Sequence, residues 1–575
     1  MREYKKYIEK YWKPFMTALA FLMIEALCDL LQPTIMSKLI DNGVAYGNMN
    51  YVVKLGCLML LVTFIGAFGA VGRNIVSSNV SQSFGADLRI DLFKKVQSLS
   101  FENIDKLETA SLITRLTNDV TQVQGFVHGM MRIFVKSPIV CIGSIIMAVI
   151  LNPKMALILA AIVPVVSVII YFSMKTGFPY FIKVQKALDK VNSVMREYLS
   201  GVRVVKAFNR FGYETERFQE SNEALAGQNI KAMRVMAVFN PGISFTVNIG
   251  IIVVLWIGGL KVNNGQVQVG QIIAFINYMT QILFSLMMIS NVFMMFIRAR
   301  ASAERIGEVF AEENKLRNVA SPLEVENSAG SIEFKNVSFS YNLESSEPVL
   351  KNINMKIQPG ETIGIIGSTG SGKSSLINLI LRFYDASEGT VKVDEVDVKQ
   401  YSIESLREKI SIVPQKTILF TGSIIDNIRW GNEEASFEDI VYFAKISKAN
   451  DFIEGFPDGY DTMLGQGGVN LSGGQKQRIS IARALVKKPE ILILDDSTSA
   501  VDVTTESEIR EALKSYSKEL TTIIIAQRIT SVMNTDRIVV LDNGEAAAIG
   551  THEELLNSCQ IYKDIFSSQI GKEGV

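Results

Sequence analysis

The sequence predicts two parts of different architecture: an α-helical domain that crosses a membrane six times, followed by an α/β domain built around a phosphate-binding loop. Three observations predict this arrangement. Of the 575 residues, 48% are hydrophobic and 20% are charged, whereas about 25% are charged in a typical soluble chain. Every apolar run of about 20 residues, the length that spans a bilayer, lies before residue 300. After residue 331, short β-rich segments alternate with turns and helices, and one leads into a glycine-rich loop.

Six apolar runs are long enough to cross a bilayer, which requires about 20 residues per helix. They lie near residues 14–40, 52–78, 130–151, 155–175, 238–260 and 270–297. The first run follows a basic segment that is similar to the start of a signal peptide. No small-residue cleavage pattern follows it, and Glu25 and Asp29 interrupt it, so we expect a retained membrane helix.

The connections between the runs differ in length and charge. Those after the odd-numbered runs are short and nearly uncharged, whereas residues 175–234 contain 11 Lys and Arg against 6 Asp and Glu. By the positive-inside rule, the N-terminus, both long connections and the C-terminal half are cytoplasmic. Apolar residues at helical spacing run through the long connections, so we expect the membrane helices to continue into the cytoplasm. We place the membrane domain at residues 1–315, a linker at 316–330 and a nucleotide-binding domain at 331–575.

Two carboxylates lie in the middle of the first apolar run. Glu25 and Asp29 are four residues apart and share a helix face. Uncompensated charges at this depth are costly, so these side chains should face a water-filled cavity or a partner. Two interpretations remain: a substrate cavity that attracts cations, or a pair that is solvated by the entry cavity or tied to a neighbouring helix. Lys136, near the cytoplasmic end of the third run, is expected to extend its ammonium group to the membrane surface.

A glycine-rich loop follows the strand-like segment 360–366. Its sequence, GSTGSGKS, has the spacing GxxxxGKS and precedes a helical pattern. Glycines let backbone N–H groups surround phosphates at a helix N-terminus, while Lys373 neutralises β and γ oxygens and Ser374 ligates magnesium. The predicted nucleotide-binding residues of this loop are Gly367, Ser368, Thr369, Gly370, Ser371, Gly372, Lys373, Ser374 and Ser375.

Two further segments fit phosphate chemistry. The apolar run 491–495 predicts a buried strand whose last residue, Asp495, meets magnesium directly or through a water. The segment LSGGQ at 471–475 precedes a helix and forms a second oxyanion-binding device. Because the first loop already holds one nucleotide, we expect the LSGGQ segment to contact ATP that is bound by another chain. The alternative is that it is an ordinary N-capped helix. Its predicted contacts are Ser472, Gly473, Gly474 and Gln475.

The motifs form an ordered set that resembles the nucleotide-binding domain of ATP-binding cassette (ABC) transporters: GSTGSGKS (367–374), Gln415 after Val413-Pro414, LSGGQKQR (471–478), ILILDD (491–496) and SAVD (499–502). Six preceding membrane helices resemble a half-transporter of the exporter type, with an α/β P-loop cassette after the membrane domain. The resemblance implies ATP and Mg²⁺ as cofactors, with Ser374, Gln415 and Asp495 around the metal. It also implies that Tyr341 stacks on adenine, a half-buried strand tyrosine being the alternative, and that Asp502 communicates across a dimer.

Two positions depart from the family pattern. The family has a catalytic glutamate directly after the strand aspartate and a switch histidine after a later strand; this sequence has Asp496 and Gln527. A carboxylate one methylene shorter is withdrawn by about a bond length, and a misplacement of about 1 Å can cost about 100-fold in rate. We therefore expect the chain's own site to bind ATP and hydrolyse it slowly. Its intact LSGGQ segment would complete the site of a partner that carries the glutamate and the histidine, and a homodimer with two slow sites is the alternative.

With these two departures the chain resembles the degenerate-site subunit of heterodimeric bacterial multidrug exporters. The resemblance implies ATP-driven efflux of multidrug or lipid-like amphiphilic small molecules across a bacterial cytoplasmic membrane, in contact with membrane lipid. A peptide exporter and a ligand-sensing protein without transport are the other classes. Because only residues 1–13 precede the first apolar run, we expect no N-terminal protease domain of the kind that peptide exporters often carry. Lys+Arg and Asp+Glu are equal at 58, so no overall positive field exists to attract nucleic acid.

The short coupling helices that dock on the cassettes are expected near residues 110–114 and 211–214.

Overall fold

The computed structural model describes residues 4–316, 318–319, 321–323, 329–341, 347–497, 500–516 and 519–570, without the side chains of residues 240, 290, 291 and 503. Part of the predicted linker 316–330, and Ser499 of the SAVD segment, lie outside these residues. The chain divides into two compact units. Unit 1 comprises Met1–Gln97 and Leu107–Glu312, and unit 2 comprises Ser98–Lys106 and Glu313–Val575.

Long helices make up the N-terminal part of the chain. They are α1 (Lys5–Leu39), α2 (Met49–Ser98), α3 (Phe101–Leu107), α4 (Thr109–Thr114), α5 (Val120–Gly129), α6 (Lys136–Leu151), α7 (Pro153–Ser200), α8 (Val202–Ala207), α9 (Phe211–Asn263) and α10 (Val269–Ala311). Among the described residues, six helical segments are long and apolar enough to cross a membrane: Lys5–Val44, Met49–Ser98, Thr109–Leu151, Pro153–Ser200, Phe211–Asn263 and Val269–Ala311. The prediction of six spans is confirmed, and each segment exceeds its apolar run because the helix continues into polar sequence.

The break between the third and fourth spans has a local cause. The side chain of Asn152 accepts hydrogen bonds from the backbone N–H groups of Lys154 and Met155, both at 3.1 Å. Pro153 occupies the first position of α7, where a missing N–H costs nothing. A capped and proline-initiated helix therefore starts immediately after α6 ends.

The segments expected to form coupling helices differ from the prediction. Residues 109–114 do form the short helix α4, but residues 211–214 begin the 53-residue helix α9 and are not a separate element. The membrane-side segment that groups with unit 2 is Ser98–Lys106, which includes most of α3. Docking of residues 110–114 on a cassette stays a prediction.

Unit 2 is an α/β fold. Its strands are β1 (Ile332–Phe339), β2 (Leu350–Ile357), β3 (Thr362–Gly367), β4 (Glu388–Val393), β5 (Val396–Asp397), β6 (Ile410–Val413), β7 (Gly422–Ser423), β8 (Met463–Leu464), β9 (Ile491–Asp495), β10 (Thr521–Ile525), β11 (Arg537–Asp542) and β12 (Glu545–Gly550). They form a four-stranded sheet β2-β1-β4-β5, a six-stranded sheet β12-β11-β3-β10-β9-β6 and the pair β7-β8. Its helices are α11 (Lys373–Ile380), α12 (Ile403–Lys409), α13 (Ile424–Arg429), α14 (Phe437–Ile446), α15 (Asn450–Glu454), α16 (Gly473–Val486), α17 (Val503–Tyr516), α18 (His552–Ser558) and α19 (Gln560–Ile570).

The six-stranded sheet positions the site. Strands β11, β3, β10, β9 and β6 run parallel, and only the edge strand β12 is antiparallel. The central strands are buried on both faces, which agrees with the apolar run of β9 and with the three isoleucines that end β10. Because parallel strands end at the same edge, the segments that follow β3, β6, β9 and β10 meet there, and ligands bind at such an edge in open α/β sheets.

Candidate nucleotide site and membrane cavity

The phosphate-binding loop between β3 and α11 requires glycine for steric reasons. Gly370 and Gly372 have φ angles of +87° and +99°, which side chains with a Cβ rarely adopt. A Cβ on Gly367 would lie 2.1 Å from the backbone oxygen of Leu541. The close curve of the loop is therefore available only to this glycine spacing.

Lys373, the first residue of α11, folds its side chain back over the loop. Its Nζ donates hydrogen bonds to the carbonyl oxygens of Gly367 and Ser368 at 2.8 and 2.7 Å. Burial lowers the pKa of Lys373. Burial, together with the neighbouring charge of Asp496, raises the pKa of Asp495. The protein alone penalises both charged forms, so an anion beside the lysine and a cation beside the aspartate would relieve that penalty.

A cavity of about 260 Å³ opens beside this loop. The predicted site residues that line it are Thr369, Gly370, Gly372, Lys373, Ser374, Ser375, Gln415, Asp495, Asp496 and Gln527. They follow four neighbouring strand ends, which is how residues up to 158 positions apart come together. Val349 and Ile525 complete the lining and were not predicted, because an apolar residue at a strand end carries no motif signal.

The two departures from the family pattern both line this cavity. Asp496 has a φ angle of +47°, a left-handed conformation in which Asp and Asn are enriched among residues with a Cβ. The amide of Gln415 donates to Oδ2 of Asp496 at 3.2 Å. Neither histidine of the chain, His128 or His552, lines the cavity. The cavity therefore offers a short carboxylate and the amide of Gln527, and no imidazole.

Three oxygen-bearing side chains of the cavity suit a hard divalent cation. They are the hydroxyl of Ser374, the amide of Gln415 and the carboxylate of Asp495. The raised pKa of Asp495 agrees with such a ligand, because a cation would favour the ionised form. Magnesium held by these residues would supply charge neutralisation for phosphate oxygens.

Tyr341 lies two residues after the end of β1 and outside the cavity lining. Its hydroxyl is hydrogen bonded with Ser375 Oγ at 2.9 Å, and its ring stands edge-on to the rings of Phe339 and Tyr384. The residue is 42% exposed. The alternative of a tyrosine within a strand does not describe this position, and stacking on adenine stays a prediction.

The LSGGQ segment forms the start of α16. Ser472 Oγ accepts from the N–H of Gln475 at 3.3 Å, and Gln475 Oε1 accepts from the N–H of Ser472 at 2.9 Å, which is a capping box. A Cβ on Gly474 would lie 2.8 Å from the backbone oxygen of Ala500. Residues 472–475 are all described, and none of them lines the nucleotide cavity. The segment is thus an N-capped helix and does not contribute to the cavity of its own chain.

Comparison with known proteins assigns the family. Residues 15–287 match the family described as ABC transporter transmembrane region, and residues 350–499 match the family described as ABC transporter. The uncharacterized ABC transporter ATP-binding protein YfiB of Bacillus subtilis (strain 168) is 40% identical over 557 residues, which cover 97% of this chain and 96% of YfiB. This chain belongs to the ABC transporters.

Two further relatives narrow the type of ABC transporter. The ATP-dependent lipid A-core flippase of Syntrophus aciditrophicus (strain SB) is 34% identical over 94% of this chain and 87% of the flippase. A solved structure of a bacterial Atm1-family ABC exporter with ATP bound matches with a TM-score of 0.81 and 25% identity, covering 97% of this chain and 99% of the exporter chain. The chain is an exporter half-transporter and a transport-coupled ATPase, with one membrane domain and one ATP-binding domain.

One contact of the cassette was missed by sequence reasoning. Within unit 2, the ring of Phe101 lies 4.5 Å from that of Phe383, centroid to centroid, and the hydroxyl of Tyr384 donates to Asp105 at 2.5 Å. Burial and the Asp105 carboxylate raise the pKa of Tyr384, so the hydroxyl stays protonated and can donate. Because Tyr384 also contacts Tyr341, the segment Ser98–Lys106 is linked to the predicted adenine side of the ABC site. No sequence motif marks this link, since its two halves are 279 residues apart.

The membrane unit of the half-transporter contains a charged cavity. Glu25 and Asp29 both line it, and both are paired. Lys136 Nζ lies 2.6 Å from Glu25 and 2.9 Å from Asp29, and Arg73 Nε lies 2.7 Å from Glu25. The expectation for Lys136 was therefore wrong: two carboxylates across the cavity hold its ammonium group, so it does not extend to the membrane surface. Arg73 was missed, although a lone arginine within an apolar run is the same signal that drew attention to Glu25.

Proposed function

We propose that this chain is the weakly hydrolytic half of a heterodimeric exporter of amphiphilic small molecules. One observation carries the proposal: Asp496 and Gln527 line the same nucleotide cavity, at the two positions where the family has its catalytic glutamate and switch histidine. Thr369, Gly370, Gly372, Lys373, Ser374 and Ser375 of the phosphate-binding loop line the same cavity. The N-terminus and the cassette lie in the bacterial cytoplasm, and the six spans cross the cytoplasmic membrane.

ATP bound to this chain acts mainly as a bridge between two subunits. The loop around Lys373 holds the triphosphate, and a partner's signature segment covers the γ-phosphate. Conversely, the start of α16 covers ATP held by the partner, whose glutamate orients the attacking water. Ligand binding shifts the pair toward the closed state only because ATP contacts both chains in that state. Closure opens the membrane cavity outward, substrate leaves, and hydrolysis at the partner's site resets the pair.

The catalytic difference between the two sites follows from the reach of one side chain. In phosphoryl transfer the protein positions the water and stabilises charge, so a displaced carboxylate leaves binding intact and slows the reaction. The hydrogen bond from Gln415 holds the Asp496 carboxylate at the cavity wall. A homodimer with two slow sites is the second candidate. It is favoured because Asp496 is still a carboxylate and could orient a water, although slowly.

The substrate class rests on the membrane unit and on the relatives. The cavity wall combines apolar and charged side chains, which suits a molecule with both characters. The flippase relative is named for a lipid A-core substrate, which is itself amphiphilic. An amphiphile with an apolar body therefore agrees with both observations.

The test compares ATP hydrolysis by the purified chain alone and by the chain with its partner, each as wild type and as Asp496→Glu with Gln527→His. We expect slow turnover for the chain alone in both forms and a several-fold gain in the pair that carries the double variant. Asp451→Glu with Gln560→His makes the same replacements outside the cavity and should change neither rate. If the wild-type chain alone hydrolyses ATP as fast as the pair, the proposed asymmetry between the two sites is refuted.

A further inference from the structure

We infer that the charged cavity of the membrane unit binds the anionic group of an amphiphile. This inference deepens the proposed function by naming a substrate class for the export pathway. The cavity has a volume of about 420 Å³, which is within the range of small-molecule sites. Its wall combines the apolar side chains of Phe284 and Met288 with a charged cluster from three helices and a π-helical turn.

The charges of the cluster do not cancel. Three basic side chains and two acidic ones line the cavity, which leaves one positive charge in excess: Arg73, Arg132 and Lys136 against Glu25 and Asp29. The ion pairs described above occupy both carboxylates. The side chain of Arg132 forms no ion pair or hydrogen bond with any described residue, and Arg132 is exposed. The two carboxylates that suggested a cation site are therefore neutralised by the protein itself.

Arg73 supplies an independent observation. The residue is 5% exposed, and its Nη1 is buried without a hydrogen-bond acceptor among the described residues. Its Nε and Nη2 both point to Glu25, at 2.7 and 3.4 Å. A buried guanidinium nitrogen without an acceptor is rare in folded proteins and calls for one. A carboxylate, sulfate or phosphate group in the cavity would provide it, and would also neutralise the excess charge.

Position in the membrane selects an amphiphile over a simple anion. Each of the charged residues lies in one of the segments that are apolar enough to cross the membrane. A free phosphate would have to enter such a site without an apolar group to offset its desolvation. In an amphiphile with an anionic head group, the head would pair with the arginines and the apolar tail would pack against the apolar side chains of the cavity wall.

The experiment measures binding to the full-length chain in nanodiscs of zwitterionic lipid. Three probes carry the same fluorophore and chain length: an alkyl carboxylate, an alkyl trimethylammonium and an anionic phospholipid. Fluorescence anisotropy should show at least about tenfold tighter binding for the carboxylate than for the ammonium, the size of one charge-assisted hydrogen bond. Binding of both anionic probes indicates a general anionic amphiphile, and binding of the phospholipid alone indicates a lipid head group.

Variants of opposite expected sign make the test specific. Arg132→Gln should weaken carboxylate binding by about tenfold, and Glu25→Gln should strengthen it because two basic groups are released. Arg73→Lys keeps the charge beside Glu25 but removes Nη1, and it too should weaken binding. Arg196→Gln, an exposed arginine of α7 away from the cavity, is the matched control.

Several outcomes would overturn the inference. These are preference for the ammonium probe, weaker anion binding by Glu25→Gln, no binding of either anionic probe, or variants that behave like Arg196→Gln. The hydrolysis test of the proposed heterodimer does not involve the charge of the ligand. The two proposals can therefore fail separately.

Discussion

Two helices of the cassette begin at phosphate-binding segments, and their N-termini are built in opposite ways. Helix α11 begins after Gly372, which is left-handed and offers no side chain as a cap. Helix α16 begins after Ser472, whose capping box with Gln475 satisfies the backbone N–H groups of Ser472 and Gln475. The first four N–H groups of a helix otherwise have no partner. Helix α11 thus leaves its donors for a ligand, and α16 satisfies part of its own.

The difference indicates how each helix start is used. The N-terminus of α11 gains hydrogen bonds whenever nucleotide is present, so it should bind ATP persistently. The capping box satisfies part of the N-terminus of α16 without a ligand, so this helix start loses less than that of α11 when a phosphate departs. This asymmetry agrees with a subunit that retains its own ATP and contributes to hydrolysis elsewhere.

The largest effect is expected from removing the charge at α11. Lys373→Ala should weaken binding of a fluorescent ATP analogue to the chain by about 100-fold, because two charge-assisted hydrogen bonds to phosphate are lost. Binding is measured by titration of the purified chain. Lys445→Ala, an exposed lysine in the last turn of α14, should bind as the wild type does. Unchanged affinity for Lys373→Ala would contradict the assignment of α11 as the ATP-binding helix.

A smaller effect is expected when α16 is displaced. In Gly474→Ala the new Cβ would lie 2.8 Å from the backbone oxygen of Ala500, so the start of the helix must shift. ATP hydrolysis by the pair should fall by about tenfold or more, because a misplacement of about 1 Å is costly at a reacting site. Binding of ATP by the chain alone should not change.

The control for this displacement is Gly455→Ala, whose Cβ would meet its nearest atom at 3.4 Å. It should leave hydrolysis by the pair unchanged. If Gly474→Ala weakened ATP binding by the chain alone, the signature segment would belong to the same site as α11, and the comparison would fail.

Removing the side chain of Ser472 tests whether the capping box stabilises the start of α16 in the absence of a ligand. Ser472→Ala should cost about 1 kcal/mol locally, seen by mass spectrometry as about fivefold faster hydrogen exchange at residues 473–476. Thr551→Ala removes the equivalent capping box of α18. It should loosen α18 alone and leave hydrolysis by the pair intact. Equal protection of α16 in wild type and Ser472→Ala would show that the capping box contributes nothing.

The smallest effect is expected for Tyr384, which follows α11 in the chain and contacts the segment Ser98–Lys106. Tyr384→Phe removes the hydrogen bond to Asp105 but keeps the ring contacts, so exchange of residues 98–106 should rise about threefold. Tyr442→Phe, an exposed tyrosine of α14, is the control. Faster exchange in both variants, or in neither, would show that Tyr384 does not hold this segment.

Local sequence signals were sufficient for the elements with strong patterns. The six spans follow from run length, because a bilayer sets a minimum number of apolar residues. The loop at 367–374 follows from glycine spacing, because its conformation excludes other residues. The ends of α9 were less predictable, because the polar sequence of residues 211–234 has no signal for where a helix that leaves the membrane should stop.

The pairing of charges was not predictable in the same way. Glu25 and Asp29 were singled out as carboxylates that need a water-filled cavity or a partner, and both line a cavity and form ion pairs, but their partners lie on other helices. Lys136 is 111 residues from Glu25, and nothing local indicates which neighbouring helix face it meets. The net charge of the cavity lining is positive because Arg73 and Arg132 lie in it with Lys136.

The sequence alone determined the class of the protein, its six membrane crossings and the chemistry of its ATP motifs, because each depends on a pattern within one short segment. Only the tertiary structure decided that Asp496 and Gln527 share one cavity and that the membrane carboxylates are already neutralised. Those properties depend on which distant segments meet at a sheet edge or between helices. Such contacts result from packing over the whole chain, and a pattern within one short segment contains no information about them.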